Sequence, residues 1–113
     1  MLSRNDILNI KDLPTETVNI PEWGGNVIVR TMTGLQRDEF EQAVFHDGIK
    51  DLTNIRARLC SMSIVDGTGK TLFSDSDIEA LGKKNAKALD RVFAIAKKLS
   101  GIGRAEMNAL KKK

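Results

Sequence analysis

The 113-residue chain contains one cysteine, one histidine, one tryptophan, two prolines and no tyrosine. Each scarcity removes a class of explanation. A lone Cys60 cannot close an intramolecular disulfide. With His46 as the only imidazole, no Cys/His set has zinc-ligand spacing, so a reducing compartment and no metal centre are expected. Aromatic residues make up only 4%, which leaves the core to Leu, Ile, Val, Ala and Met and favours packed helices over a large sandwich. No apolar run approaches the roughly 20 residues that span a bilayer, and the opening MLSRNDILNIKD lacks a signal peptide's apolar segment. No membrane association is expected.

What is present fits one ordinary folded unit. Hydrophobic residues amount to 41% and charged residues to 29%, well away from the composition of disordered chains, and the length suits a single modest core. The net charge of +3 comes entirely from Lys111, Lys112 and Lys113. Without them the remainder is neutral, so the basic stripe typical of nucleic-acid binders is not apparent outside the tail.

Local signals set the order of elements. Ser3 and Asp6 open a short helix over Arg4 to Asn9, with Leu2 placed to staple onto Ile7. Two β-branched runs, Thr15 to Ile20 and Asn26 to Met32, flank Pro21-Glu22-Trp23-Gly24-Gly25 and read as a β-hairpin. Alternation places Val18, Ile20, Val27 and Val29 on one face and leaves Glu16, Asn19 and Arg30 nearer water. Thr33 and Gln36 form the next capping box. The helix they open buries Phe40, Ala43 and Val44, has Leu35 at its edge and stops near Asp47-Gly48. A third helix runs from about Asp51, with Leu52, Ile55, Leu59 and Met62 at helical spacing and an ambiguous end between Ser63 and Val65.

Further along, Ser74 caps a short helix that Phe73 staples through Ile78 and Gly82 ends. The strongest helix starts at Asn85, carries Leu89, Val92, Phe93, Ala96 and Leu99 on one stripe, and stops at Gly101 after Lys97 and Lys98. The fold class is α+β: an N-terminal β-hairpin packed against four to five short-to-medium helices, mainly helical. Residues 1–103 are expected to form one compact domain, and residues 104–113 a basic tail, frayed helix or mobile.

The stretch Ile64-Val65-Asp66-Gly67-Thr68-Gly69-Lys70-Thr71 invites a nucleotide-binding reading. A phosphate-cradling loop needs a glycine five positions before its Gly-Lys-Thr, and Ile64 stands there instead. Thr71-Leu72-Phe73 then continues as strand-like sequence. A glycine-containing turn feeding a short extended segment is the expectation. His46 reads as a solvent-exposed residue at a helix end, with no partnered nucleophile. Asp38, Glu39 and Glu41 read as a solvated helix face with Arg37 and Glu41 at i,i+4, and Cys60 as a small buried hydrophobe. No catalytic residue, cofactor site or metal site follows from the sequence.

The candidate binding residues are apolar positions without an obvious core slot. Trp23 in the hairpin turn either folds back over the strands or anchors a partner. Phe45 lies off its helix's stripe. Met107 and Leu110 on the tail dock when a partner or neighbouring subunit is present, or belong to a disordered end.

Together, Leu13 to Gly25, Thr33-Gly-Leu-Gln-Arg-Asp-Glu-Phe40, Leu72 to Gly82, Leu89-Asp-Arg-Val-Phe93 and Leu99-Ser-Gly-Ile102 resemble the tail assembly chaperones of long-tailed, siphovirus-type phages and prophages. The resemblance implies a non-enzymatic role in virion morphogenesis. Such proteins bind the tape measure protein and keep this long helical chain soluble until the tail tube polymerises around it. It implies self-association into an oligomer, residence in the bacterial host cytoplasm and absence from the mature virion. Family members commonly occur also as a longer, frameshifted form, and Lys111 to Lys113 fit an A-rich slippery stretch in the gene. The alternative, from another class, is a small nucleic-acid-binding regulator using the lysine tail.

Overall fold

Short apolar runs separated by strong turn and cap signals dictate the architecture, which the computed structural model describes over residues 1–101. In chain order these are α1 (Arg4–Asn9), β1 (Thr15–Ile20), β2 (Gly25–Arg30), α2 (Gly34–Val44), β3 (Phe45–His46), β4 (Ile49–Lys50), α3 (Ile55–Ser63), β5 (Ile64–Val65), α4 (Ile78–Gly82) and α5 (Ala86–Leu99). Five helices with two small antiparallel sheets make the fold α+β. The expected division of the chain near residue 103, and Met107 and Leu110 with it, lies outside the described residues.

The hairpin forms as its sequence requires. β1 and β2 pair antiparallel with Val18 opposite Val27 and Glu16 opposite Val29. Val18, Ile20, Val27 and Val29 all pack into or against the core. Glu16 departs from expectation: side chains alternate with a period of two, so it shares the side of Val18 and Ile20. There it is half-buried, and its Oε1 accepts a hydrogen bond from Lys98 Nζ at 2.9 Å.

Two further pairings were not expected from the sequence. β5 adds to β2, with Val29 opposite Ile64, so the main sheet has the order β1-β2-β5. Asp47-Gly48 does more than stop α2. Both residues take positive φ, 52° and 72°, the geometry of a two-residue hairpin turn, and they join β3 to β4.

The core sits between this sheet and the helices. α5 packs on β1, β2 and α3 and buries Ala88, Leu89, Val92 and Ala96. α3 lies among α2, α4 and α5, which is why it buries Ala57, Leu59, Cys60, Ser61, Met62 and Ser63 where the sequence indicated a single stripe. The helix begins later than expected, and Leu52 is left exposed before it. Polar bonds tie the end of α5 to the link between β2 and α2 and to the first turn of α2. Thr31 Oγ1 donates to Leu99 O, Met32 N–H to Ser100 Oγ and Arg37 Nη1 to Ser100 O, each at 3.0 Å.

Candidate functional site

The glycine-rich stretch after β5 is a turn, and its own side chain explains why. The Asp66 carboxylate accepts from Thr68 N–H at 2.8 Å, Thr68 Oγ1 at 2.6 Å and Lys70 N–H at 3.1 Å. These bonds, Thr68's hydroxyl foremost, hold Asp66 below the usual carboxylate range. Asp66 N–H donates to Lys70 O at 2.7 Å, and Val65 bridges Thr71. Gly69 takes φ 89°, and its carbonyl accepts from Arg30 Nη1 at 2.6 Å. Backbone N–H groups that a nucleotide-binding loop would aim at phosphate converge here on an internal carboxylate.

The remaining chemical candidates are placed as their local sequence suggests. His46 is exposed just past α2, its Nε2 3.5 Å from Asp51 and its Nδ1 3.9 Å from Asp47. Asp38, Glu39 and Glu41 lie on the exposed face of α2, with Arg37 Nε 3.6 Å from Glu41. Cys60 is fully buried, and desolvation pushes its thiol up to about 12, with Asp90 adding to the effect. Among the described residues, no group of three or more His, Cys, Asp or Glu side chains is arranged to hold a metal ion, and no helix is long and apolar enough to cross a membrane.

The apolar candidates fall at separate places. Trp23 ends a 3-10 turn, Pro21–Trp23, closed by Gly24 at φ 71° and by Gly24 N–H donating to Pro21 O. It is half-buried, packed against the core on the side of α5. Phe45 caps the C-terminus of α2, its N–H donating to Glu41 O. It is half-buried as well and lines a shallow groove of about 470 Å³ with Asp38, Glu41 and Gln42. The two side chains thus sit on different elements, Trp23 at the tip of the main hairpin and Phe45 behind α2.

Sequence reasoning passed over the most exposed apolar surface. Leu2, Ile7, Leu8 and Ile10 are 68, 54, 65 and 54% exposed, and α1 buries none of its residues. The expected capping box is present, Ser3 and Asp6 bonding each other's N–H, but the helix stands off the body. The signal was available: Leu2, Ile7, Leu8 and Ile10 are four large aliphatic side chains within ten residues, and the cap at Ser3 and Pro14 leave only a short helix to bury them.

Comparison with known proteins gives these surfaces a context. A sequence model described as phage tail assembly chaperone matches residues 7–113. The chain belongs to that family. The solved structure of the bacteriophage HK97 tail assembly chaperone aligns with a TM-score of 0.63 at 20% identity, over 88% of this chain and 94% of that one. At that identity the likeness is one of fold. No curated protein matches by sequence. As a member of this family the protein serves phage tail assembly.

Proposed function

We propose that the chain is a non-enzymatic chaperone that binds the tape measure protein and keeps it soluble until the tail tube polymerises around it. The single observation carrying this reading is the family match over nearly the whole chain. Physical chemistry makes the role intelligible. A long helical client has an apolar stripe with no place to be buried until the tube encloses it. Many weak contacts repeated along such a client hold it through multivalency, without any one contact being tight. The half-buried Trp23 and Phe45, with Met107 and Leu110 in the tail, are the proposed client contacts; partial exposure of the first two, each packed against the core, supports that use.

The chain is proposed to act in the host cytoplasm, to associate with itself while doing so, and to be left out of the mature virion. A longer frameshifted form belongs to the same proposal. Its support is the lysine run Lys111 to Lys113, whose codons fit a slippery stretch, and intact-mass measurement of both products from the natural gene tests it. Co-expression with the tape measure protein tests the main reading. The client is expected to move from the pellet to the soluble fraction and to be retained on the tagged chain; equal insolubility with and without it overturns the proposal.

A further inference from the structure

The N-terminal arm presents a problem that the described residues do not solve by themselves. An isolated helix shorter than about 12 to 15 residues is marginal in water, yet the six-residue α1 carries Ile7 and Leu8, with Leu2 and Ile10 at its ends, and buries nothing. Arg4 stands three and four positions before Ile7 and Leu8 and so shares their face. Asp6 is turned away into its capping box with Ser3. The surface offered is therefore aliphatic with a cation beside it.

A matching surface exists elsewhere on the same molecule. Between α2 and the extended segment after β5 lies a groove of about 320 Å³, lined among others by Gln36, Glu39, Met62, Thr71, Phe73 and Asp75. Half-buried Phe73 supplies apolar area over the buried Met62, and the exposed carboxylates of Glu39 and Asp75 supply charge; among the described residues no basic side chain lines it. Gln36 Nε2 donates to Met62 O at 3.1 Å and fixes one wall. Leu35 and Leu72, 69 and 53% exposed, flank the lining residues in sequence. A second groove, near Leu52 and Ile55, has Arg56 and Lys84 at its edge and opposes Arg4.

Arm and groove belong to opposite edges of the main sheet. The arm leaves from Pro14, whose carbonyl accepts from Thr31 N–H at 3.0 Å, and leads into edge strand β1. The groove lies beyond the other edge, where Thr71 bridges Val65 of β5. We infer that the N-terminal arm docks, through Ile7, Leu8 and Arg4, into the Glu39–Phe73–Asp75 groove of a second copy of this chain. The arm's exposed aliphatic side chains would be buried against that groove and its flanking leucines. Arg4 facing Glu39 and Asp75 sets its orientation.

This deepens the self-association in the proposed function, and its test contains no client, so a failure here leaves the tape measure reading standing. The experiment is light scattering and sedimentation of the full chain at tens of micromolar. Wild type is expected above monomer mass, and Leu8→Asp and Glu39→Arg, both at exposed positions, are each expected to weaken association by about tenfold or more. Mixing the two variants is expected to restore a one-to-one complex, because one brings an intact groove and the other an intact arm. Arg4→Glu combined with Glu39→Arg is expected to recover association. A monomeric wild type, an unaffected Leu8→Asp, or a mixture and double variant that both stay monomeric overturns the inference.

Discussion

Arg91 on α5 grips Glu22 in the turn between β1 and β2 through two parallel bonds, Nε to Oε1 at 2.8 Å and Nη2 to Oε2 at 3.0 Å. The fork geometry holds Glu22 below the usual carboxylate range and raises the guanidinium. Trp23, the only tryptophan, is the next residue, so its fluorescence reports on the clamp. Replacing Arg91 by Ala is expected to shift emission to the red, to increase iodide quenching and to lower the melting temperature by a few degrees. An unchanged spectrum would mean that core packing alone holds the turn.

Acid sensitivity follows from the same clamp and from the Asp66 turn. Glu22 and Asp66 have native values below their ordinary 4.5 and 3.8. Their contribution is therefore fully present above those ordinary values and lost as pH falls through the lowered native ones. The urea midpoint should be flat between pH 6 and about pH 5 on this account and decline below about pH 4. Asp66→Asn should decline less steeply than wild type; an equal slope removes Asp66 from the explanation.

Cys60 is expected to be inert in the native protein. Its Sγ is buried and donates to Leu89 O at 3.6 Å, and its thiol is pushed up to about 12. At pH 8 the thiolate that reacts with alkylating agents is nearly absent. Labelling should be negligible without denaturant and complete in urea. Fast native labelling would place Cys60 in a region that opens locally.

Ser63 offers a gain in stability. Its side chain is fully buried at the end of α3, and Oγ has no hydrogen-bond partner among the described residues. Burying an unsatisfied hydroxyl costs about 1–3 kcal/mol. Ser63→Ala keeps the fit, removes that cost and is expected to raise stability by about 1 kcal/mol in chemical denaturation. A loss of stability would reveal a partner for the hydroxyl, such as a bound water.

Trp23→Ala separates packing from client capture. The ring is half-buried, so roughly half of the 3–5 kcal/mol lost by a fully enclosed aromatic is expected to go. Native near-ultraviolet dichroism from the phenylalanines should remain, while retention of the tape measure protein falls several-fold. Full retention by the folded variant would return Trp23 to a purely structural role.

Much of this fold is legible locally because its boundaries are set by side chains that bond the backbone. Ser3 with Asp6, Thr33 with Gln36 and Asn85 with Ala88 N–H all act where the sequence places them. What was hidden depends on distant partners. Ile64 and Val65 pair with β2, and a two-residue strand has too little sequence to announce itself. The burial of α3 from Leu59 to Ser63 depends on three helices packing around it. Glu16 was misplaced by chemistry, since a carboxylate looks destined for water until Lys98 is brought beside it. Asp47-Gly48 was readable as a hairpin turn, and its position after a helix masked it. The motifs point to the family, and the aliphatic residues before Pro14 are visible in the sequence, but that the body leaves them uncovered is a matter of tertiary packing.

The turn at Asp66 has a wider consequence. Its amides are satisfied by a negative group that the loop itself supplies. Besides the glycine missing at Ile64, what separates this turn from a phosphate cradle is that the amides of Thr68 and Lys70 are held by a carboxylate of the same loop. Amides already held by Asp66 are not free to receive an external anion at this turn.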